Sequence, residues 1–146
     1  MRLVRYDGDP ASIAAYDVAP GWPHDDTADA LRFAAISGAW MWLVLDDDDR
    51  VAGECGTKAP PDGEGRVEIG YGLAAASRGR GLGTRAVAEL LGELAADGAV
   101  REVVACVHPG NVASARLLER LGFRAAAVEP DEITYVRACH DASRTG

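Results

Sequence analysis

The stretch Ser77–Gly98, SRGRGLGTRAVAELLGELAADG, decides the fold, because it joins a glycine-rich loop to the start of a helix. Residues 78–85 hold three arginines and three glycines. Glycines let several backbone N–H groups converge on one point without obstruction by a Cβ atom. Apolar residues then recur with a helical period from Val87 to Leu94, and the N-terminus of such a helix adds the positive end of its dipole. The pattern therefore predicts a loop that binds an anion, and a diphosphate suits it.

Two other anion-binding motifs fit the stretch less well, and an ordinary turn is a further alternative. A P-loop that began at Gly79 would need its second glycine where Thr84 stands, and no lysine follows. Residues 70–75, GYGLAA, match the dinucleotide-binding fingerprint in letters, but their glycines lie inside a predicted strand rather than after it. The loop by itself leaves open an ordinary glycine-rich turn with solvated arginines.

The composition favours a single folded domain with an acidic surface. The chain has 146 residues, and we expect one domain over 1–146, with a core of about 1–137 and a tail at 138–146. A net charge of −8 and a pI of about 4.8 disfavour nucleic-acid and membrane-surface partners, which both require a positive surface. The first residues show no signal-peptide pattern, and no apolar run approaches the roughly 20 residues that span a bilayer. We therefore expect a cytoplasmic protein.

The cysteines and histidines predict neither a disulfide framework nor a metal site. The chain has an odd number of cysteines, namely Cys55, Cys106 and Cys139, and no CxxC motif. His24 precedes two aspartates, but further ligands at a useful spacing are lacking, so we expect no metal.

Periodicity and turn residues predict a mixed α/β chain of six to seven strands and about four helices. Strands are expected at 1–6, 40–45, 50–58, 66–73, 100–107, 123–128 and 132–137. Helices are expected at about 10–18, 27–37, 84–97 and 112–121, with Asp9 and Asn111 at N-caps. The run Asp46–Asp49 is expected to be a solvated turn.

Two segments, EIGYGLAAASRGRGLGTRAVAELL at 68–91 and HPGNVASARLLERLGFR at 108–124, resemble the GCN5-related N-acetyltransferase (GNAT) family. Within it, the resemblance is strongest to the branch of the ribosomal-protein alanine N-acetyltransferases, and it covers about residues 66–124. It implies a single GNAT-type domain with a central mixed, mostly antiparallel sheet that is splayed between its two central parallel strands. It also implies acetyl-CoA as the donor. Dimers are frequent in the family, which makes a homodimer one possible state, but the sequence leaves the oligomeric state open.

The resemblance implies which residues bind CoA. The pantetheine arm is expected along the strand edge near Leu73, because its two amides allow it to be held like an added strand. Asn111 is a further candidate, since its amide both donates and accepts; the alternative is that it only caps a helix. The diphosphate is expected on the loop formed by Arg78, Gly79, Arg80, Gly81, Leu82, Gly83 and Thr84.

Acetyl transfer to an amine requires a base for the amine proton and a proton for the leaving thiolate. Glu68 is the candidate base, because it lies on the strand that would carry the acetyl group, on the face opposite Val67 and Ile69. A structural or surface glutamate is the alternative, and Glu54 on the preceding strand is a second candidate base. Many family members carry a tyrosine acid at the position of Leu118, so that acid is absent here. The resemblance offers Ser114 in its place, with a backbone-only role as the alternative.

The resemblance implies an acceptor site in the N-terminal half, and all three tryptophans lie in that half. A cluster of aromatic and carboxylate side chains would suit a cationic amine. Its candidate residues are Trp22, His24, Glu54 and Tyr71. The expected function is acetyl-CoA-dependent N-acetylation of a small-molecule amine or a peptide N-terminus. The alternative is a catalytically silent CoA-binding module that acts as a sensor or partner domain.

Overall fold

A computed structural model describes residues 1–23, 27, 31, 38–79 and 81–139. Seven strands of this part form one sheet in the order β1-β2-β3-β4-β5-β7-β6. They are β1 Arg2–Tyr6, β2 Met41–Leu45, β3 Val51–Thr57, β4 Arg66–Leu73, β5 Glu102–Val107, β6 Arg124–Val128 and β7 Ile133–Ala138. Helix α1 spans Leu82–Ala96 and helix α2 spans Val112–Arg120, with short 3-10 helices at Pro10–Ala15 and Ala75–Ser77. The mixed α/β, mostly antiparallel architecture expected from the sequence is confirmed.

The two central strands, β4 and β5, are parallel and separate partway along their length. Their register runs from Arg66↔Glu102 to Ile69↔Ala105 and stops there. β4 nevertheless continues beside β3 as far as the pair Gly53↔Leu73. The sheet therefore opens between the last residues of β4 and β5, which confirms the expected splay.

Apolar clusters lie on both faces of the sheet, and β2 and β3 are buried at every position, which fits strands covered on two sides. On one face, which we call the α1 face, the buried side of α1 packs against residues such as Trp42, Val67 and Val103. On the opposite face, which we call the N-terminal face, Trp22 packs against Leu43, Leu45 and others. Alternation along each strand assigns neighbouring residues to opposite faces.

The helices differ in detail from the expectation. The first is a 3-10 helix at Pro10–Ala15, capped by Asp9 as expected, and it contains no buried residue, so no packing extends it into an α-helix. Thr27 and Leu31 lie in helical backbone, while the rest of the helix expected at 27–37 lies outside the described residues. α1 begins at Leu82, two residues earlier than expected, because Gly81 takes the left-handed conformation at its N-cap. No helix in the described ranges has both the length and the apolar content that crossing a bilayer requires.

The acidic turn between β2 and β3 makes more contacts than expected. Asp47 forms an ion pair with the amino group of Met1 at 2.6 Å and a longer one with Arg85 of α1 at 3.4 Å. Hydrogen bonds from the Asp48 and Arg50 amides lower the pKa of Asp46, although burial opposes them. The turn thereby ties the start of β1 to the first turns of α1, beside a cleft of about 340 Å³.

Candidate active site

At the end of β4, backbone groups that have no partner on β5 face the gap in the sheet. The N–H of Ala74 donates to the C=O of Ala52 on β3 at 2.7 Å, so even-numbered positions here direct their backbone groups toward β3. Backbone groups alternate along a strand, and those of Tyr71 and Leu73 therefore point toward β5. The β4–β5 ladder has already ended at Ile69. This is an edge to which an extended ligand with amide groups can pair.

The loop before α1 has the geometry of an anion-binding nest. Gly79 and Gly81 have φ angles of 78° and 77°, which L side chains rarely adopt. A Cβ atom at either position would meet no described residue within 4 Å apart from its chain neighbours. Gly81 is the N-cap of α1 and provides no side-chain cap, so the amides of residues 82–84 lack a partner within the helix. These amides and the helix dipole point to a site for a diphosphate.

The loop, β4 and α2 pack closely at this point. A Cβ atom on Gly83 would lie 3.1 Å from Leu117 of α2 and 3.3 Å from Leu73 of β4. Arg78 reaches back across the loop, and its Nε donates to the C=O of Leu73 at 3.2 Å. The nest is thereby fixed relative to the open edge of β4.

The N-terminus of α2 faces the same gap from the α1 face. The Asn111 Oδ1 accepts a hydrogen bond from the Ser114 N–H at 3.1 Å, so the N-cap role of Asn111 is confirmed. The Ser114 hydroxyl is hydrogen-bonded to the Tyr71 hydroxyl. Burial raises the pKa of Tyr71 above its usual value while the bond to Ser114 opposes this, so the phenol is neutral at physiological pH. Leu118, the position at which the resemblance would place a tyrosine acid, is fully buried in the core.

Glu68 lies on the opposite, N-terminal face of the sheet. Its Oε2 is 2.7 Å from the Nζ of Lys58, and its side chain is 38% exposed. Sequence patterns did not identify Lys58 as a candidate site residue. The one feature of the sequence that sets it apart is that it is the only lysine among the 15 lysine and arginine residues of the chain.

Trp22 and Glu54 meet on the N-terminal face, below the surface. The Trp22 Nε1 donates to Glu54 Oε2 at 2.8 Å, and the Thr27 hydroxyl donates to Oε1 at 3.2 Å. Glu54 is only 4% exposed and Trp22 5%. A buried carboxylate with such donors anchors the loop that carries Trp22 onto β3.

Glu54→Met is expected to lower the free energy of unfolding by about 1–3 kcal/mol, because the buried indole N–H of Trp22 would face a thioether. Glu54→Gln is the matched control, since its amide oxygen can accept from Trp22 while the Thr27 hydroxyl turns to accept from its NH₂. Urea denaturation of both variants is the measurement. Equal stability of the two would contradict the assigned hydrogen bonds.

The sheet divides the residues that the sequence grouped into one acceptor site. Tyr71 packs with the α1-face cluster, whereas Trp22 belongs to the cluster of the N-terminal face. Glu54 bonds to Trp22 and so lies with it. His24 and, in the loop, Arg80 lie outside the described residues. The described candidate residues therefore fall into two groups, one on each face of the sheet.

The cysteines offer no activated thiolate. Burial, with a smaller contribution from Glu54, raises the pKa of Cys55 to about 12. Burial also raises the pKa values of Cys106 and Cys139. Within the ranges that the structure describes, no group of three or more His, Cys, Asp and Glu side chains has an arrangement that could hold a metal ion.

Comparisons with known proteins agree with this geometry. A family model described as an acetyltransferase (GNAT) domain matches residues 1–124. An uncharacterized N-acetyltransferase of Bacillus subtilis, YjdG, is 25% identical over 117 residues, which cover 74% of this chain and 70% of that protein. A putative GNAT-family acetyltransferase from Bordetella pertussis is 26% identical, with a TM-score of 0.64 over 94% of this chain and 96% of that one.

A further solved structure of similar fold contains bound acetyl-CoA. It is a phosphinothricin acetyltransferase (Pat) from Sinorhizobium meliloti in complex with acetyl-CoA, 24% identical, with a TM-score of 0.66 over 94% of this chain and 89% of that one. The glycine nest and the open edge of β4 fit such a donor, because they provide amides for a diphosphate and for a pantetheine arm. The chain therefore belongs to the GNAT acetyltransferase family and is an acetyltransferase.

Proposed function

We propose that the protein moves an acetyl group from acetyl-CoA to a primary amine by direct attack of the amine, without an acyl-enzyme. The observation that carries this is the gap that opens after Ile69↔Ala105, directly beside the glycine nest. Acetyl-CoA supplies the activated acetyl group as its thioester. The high pKa of Cys55 supports direct attack, because a thiol that stays protonated is a poor nucleophile.

We assign the loop Arg78–Thr84, with Arg80 included on sequence grounds, to the diphosphate of CoA. The amides of residues 82–84 supply hydrogen bonds, and the guanidinium groups of the loop supply charge. The backbone of Leu73 holds the pantetheine arm. The N–H of Tyr71, two residues earlier on β4, lies along the same edge. Asn111 uses its Oδ1 as a cap, which leaves its side-chain NH₂ for the cofactor.

In this proposal Glu68 accepts the proton of the amine and Ser114 protonates the leaving thiolate. The two residues lie on opposite faces of the sheet. Glu68 already holds a primary ammonium group, that of Lys58, at 2.7 Å, so its position suits an amine nitrogen. Ser114 lies at the N-terminus of α2 with its hydroxyl bonded to the neutral Tyr71, and it donates the proton to the leaving thiolate. This role of Ser114 is the one that the resemblance to the ribosomal-protein alanine branch implies.

The acceptor approaches from the N-terminal face, where Trp22 and Glu54 form the floor of the site. A net charge of −8 favours a cationic acceptor at long range, such as a small amine or a peptide N-terminus. Glu68 supplies the matching charge nearby, because an exposed carboxylate attracts an ammonium group.

Thiol release tests the proposal. The protein is incubated with acetyl-CoA and, in turn, with polyamines, aminoglycosides, amino acids and short peptides, while free CoA thiol is followed. We expect CoA to raise the melting temperature and at least one amine to release thiol. Stabilisation by CoA without thiol release for any amine would favour the silent CoA-binding module, and the absence of stabilisation would contradict the CoA site itself.

Glu68→Gln is expected to reduce kcat/KM about 100-fold at pH values where the acceptor amine is mostly protonated. The difference should shrink as the pH rises and the amine loses its proton unaided. Glu102→Gln is the matched control, since Glu102 is equally exposed (37%) and ion-paired with Arg66 at the closed end of the ladder. A pH–rate profile of Glu68→Gln that parallels the wild type would remove Glu68 as the base.

A further inference from the structure

Lys58 is the only lysine of the chain, and its position is unusual for a surface lysine. It follows β3 directly, and its N–H donates to the C=O of Glu68 on β4 at 2.8 Å. Its Nζ lies 2.7 Å from the Glu68 Oε2, while its side chain remains 54% exposed. A primary amine therefore lies within ion-pair distance of the carboxylate that we assign as the base.

The Lys58 side chain runs along β4 to the point where the sheet opens. Its Cε lies 3.5 Å from where a Cβ atom of Gly70 would be, and Gly70 is the first residue beyond the Ile69↔Ala105 pair. Cys106 lies across the gap on β5, and the charges of Glu68, Glu132 and Lys58 all act on its thiol. The amine, the carboxylate and both sides of the gap are thus close together.

We propose that Lys58 is an acceptor of the protein's own acetyl transfer, so that the chain acetylates the Nζ of Lys58 when no external amine is present. This inference rests on the proposed function. Glu68 takes one proton from the ammonium group, and the neutral Nζ attacks the thioester carbonyl carbon. The C–N bond forms, the C–S bond breaks, and the second proton lost by nitrogen goes to the CoA thiolate. The products are acetylated Lys58, free CoA thiol and one proton, which Glu68 passes to water.

Acetylation changes the electrostatics of the site. It removes the charge of Lys58 and ends the ion pair with Glu68, whose carboxylate then faces the gap without its cation. The modification therefore converts a site filled by the protein's own amine into one that can hold another amine.

Mass spectrometry of the full chain tests this inference. The protein is incubated with acetyl-CoA without an acceptor, and the modified residue is located by fragmentation. We expect one acetyl group at Lys58, at a rate that saturates with acetyl-CoA and falls at least about tenfold in Glu68→Gln. Lys58→Arg should gain no acetyl group at that position, since a guanidinium is not a primary amine.

Arg66→Lys provides an internal control for ordinary chemical reactivity. It introduces a second amine on β4, paired with Glu102 and about 13 Å up the strand from Gly70. We expect acetyl-CoA to modify Lys58 and leave the introduced amine unmodified, whereas acetyl phosphate or a urea-unfolded sample should treat both alike. Equal modification of both by acetyl-CoA in the folded protein would overturn the inference.

The outcomes separate this inference from the proposed function. An unmodified Lys58 in a protein that releases thiol with external amines would overturn self-acetylation and leave the proposed function standing. No thiol release, no modification and no stabilisation by CoA would overturn both.

Discussion

Gly81→Val is expected to weaken CoA binding about 100-fold while the protein stays folded. Gly81 has a φ of 77°, and a Cβ atom placed there would lie more than 4 Å from every described residue other than its chain neighbours. A β-branched side chain resists this φ and would fill the space into which the amides of residues 82–84 point. Losing even two charge-assisted hydrogen bonds to a diphosphate costs about 3 kcal/mol or more, which gives the expected factor.

Isothermal titration with CoA measures this effect, and two other variants identify its cause. Gly81→Asn places a side chain at the same point but tolerates the left-handed conformation, so it separates blocking from backbone strain. Gly92→Ala adds a methyl group in open space on the exposed side of the same helix and should leave the dissociation constant unchanged. A folded Gly81→Val variant with the wild-type dissociation constant would refute the nest.

Gly53→Ala is expected to destabilise the protein by about 3 kcal/mol and to weaken CoA binding as well. A Cβ atom on Gly53 would lie 2.3 Å from the C=O oxygen of Gly72 and 2.7 Å from a methyl group of Leu73. The oxygen belongs to the backbone of the neighbouring strand and cannot rotate away. β3 and β4 must therefore move apart where the edge of Leu73 is needed for the pantetheine arm.

Urea denaturation measures the loss of stability in Gly53→Ala, with Gly70→Ala as the matched control. Gly70 lies in the partner strand, and a Cβ atom there would make only an ordinary contact of 3.5 Å with the Lys58 side chain. The control should remain within about 0.5 kcal/mol of the wild type. Equal stability of the two variants would mean that β3 and β4 are not as close as described.

The elements around the CoA loop could be predicted from the sequence because their signals are local. The strand expected at 66–73 is found as Arg66–Leu73, and Asn111 caps α2 as its side chain suggested. The glycines before α1 take the positive φ angles for which glycine is suited. Periodicity, caps and turn residues act over a few positions, so a single sequence contains them.

Contacts between distant segments could not be predicted in the same way. Trp22 and Glu54 are 32 positions apart, and nothing in either segment indicates that an indole and a carboxylate would be buried together. The sequence grouped Tyr71 with them, yet the pairing Cys55↔Tyr71 gives Tyr71 the side-chain orientation of the α1 face. Which face a strand residue occupies depends on the neighbouring elements, and these are fixed only in the fold.

Lys58 shows the same limit for the chemistry of the site. Its distance from Glu68 depends on the β3–β4 hairpin, in which the loop 58–65 joins the two antiparallel strands and so sets Lys58 beside Glu68. Composition alone marked it as the sole lysine, but only the register places its amine at the opening between β4 and β5.

The central claim is that backbone amides before and within the first turn of α1 hold the diphosphate while the edge of β4 holds the pantetheine arm. A crystal structure of the complex with acetyl-CoA tests this most directly. The account predicts diphosphate oxygens about 2.7–3.2 Å from the amides of residues 82–84, and pantetheine hydrogen bonds to the backbone of Leu73. A diphosphate bound elsewhere, or a β4 edge closed by β5 in the complex, would contradict it.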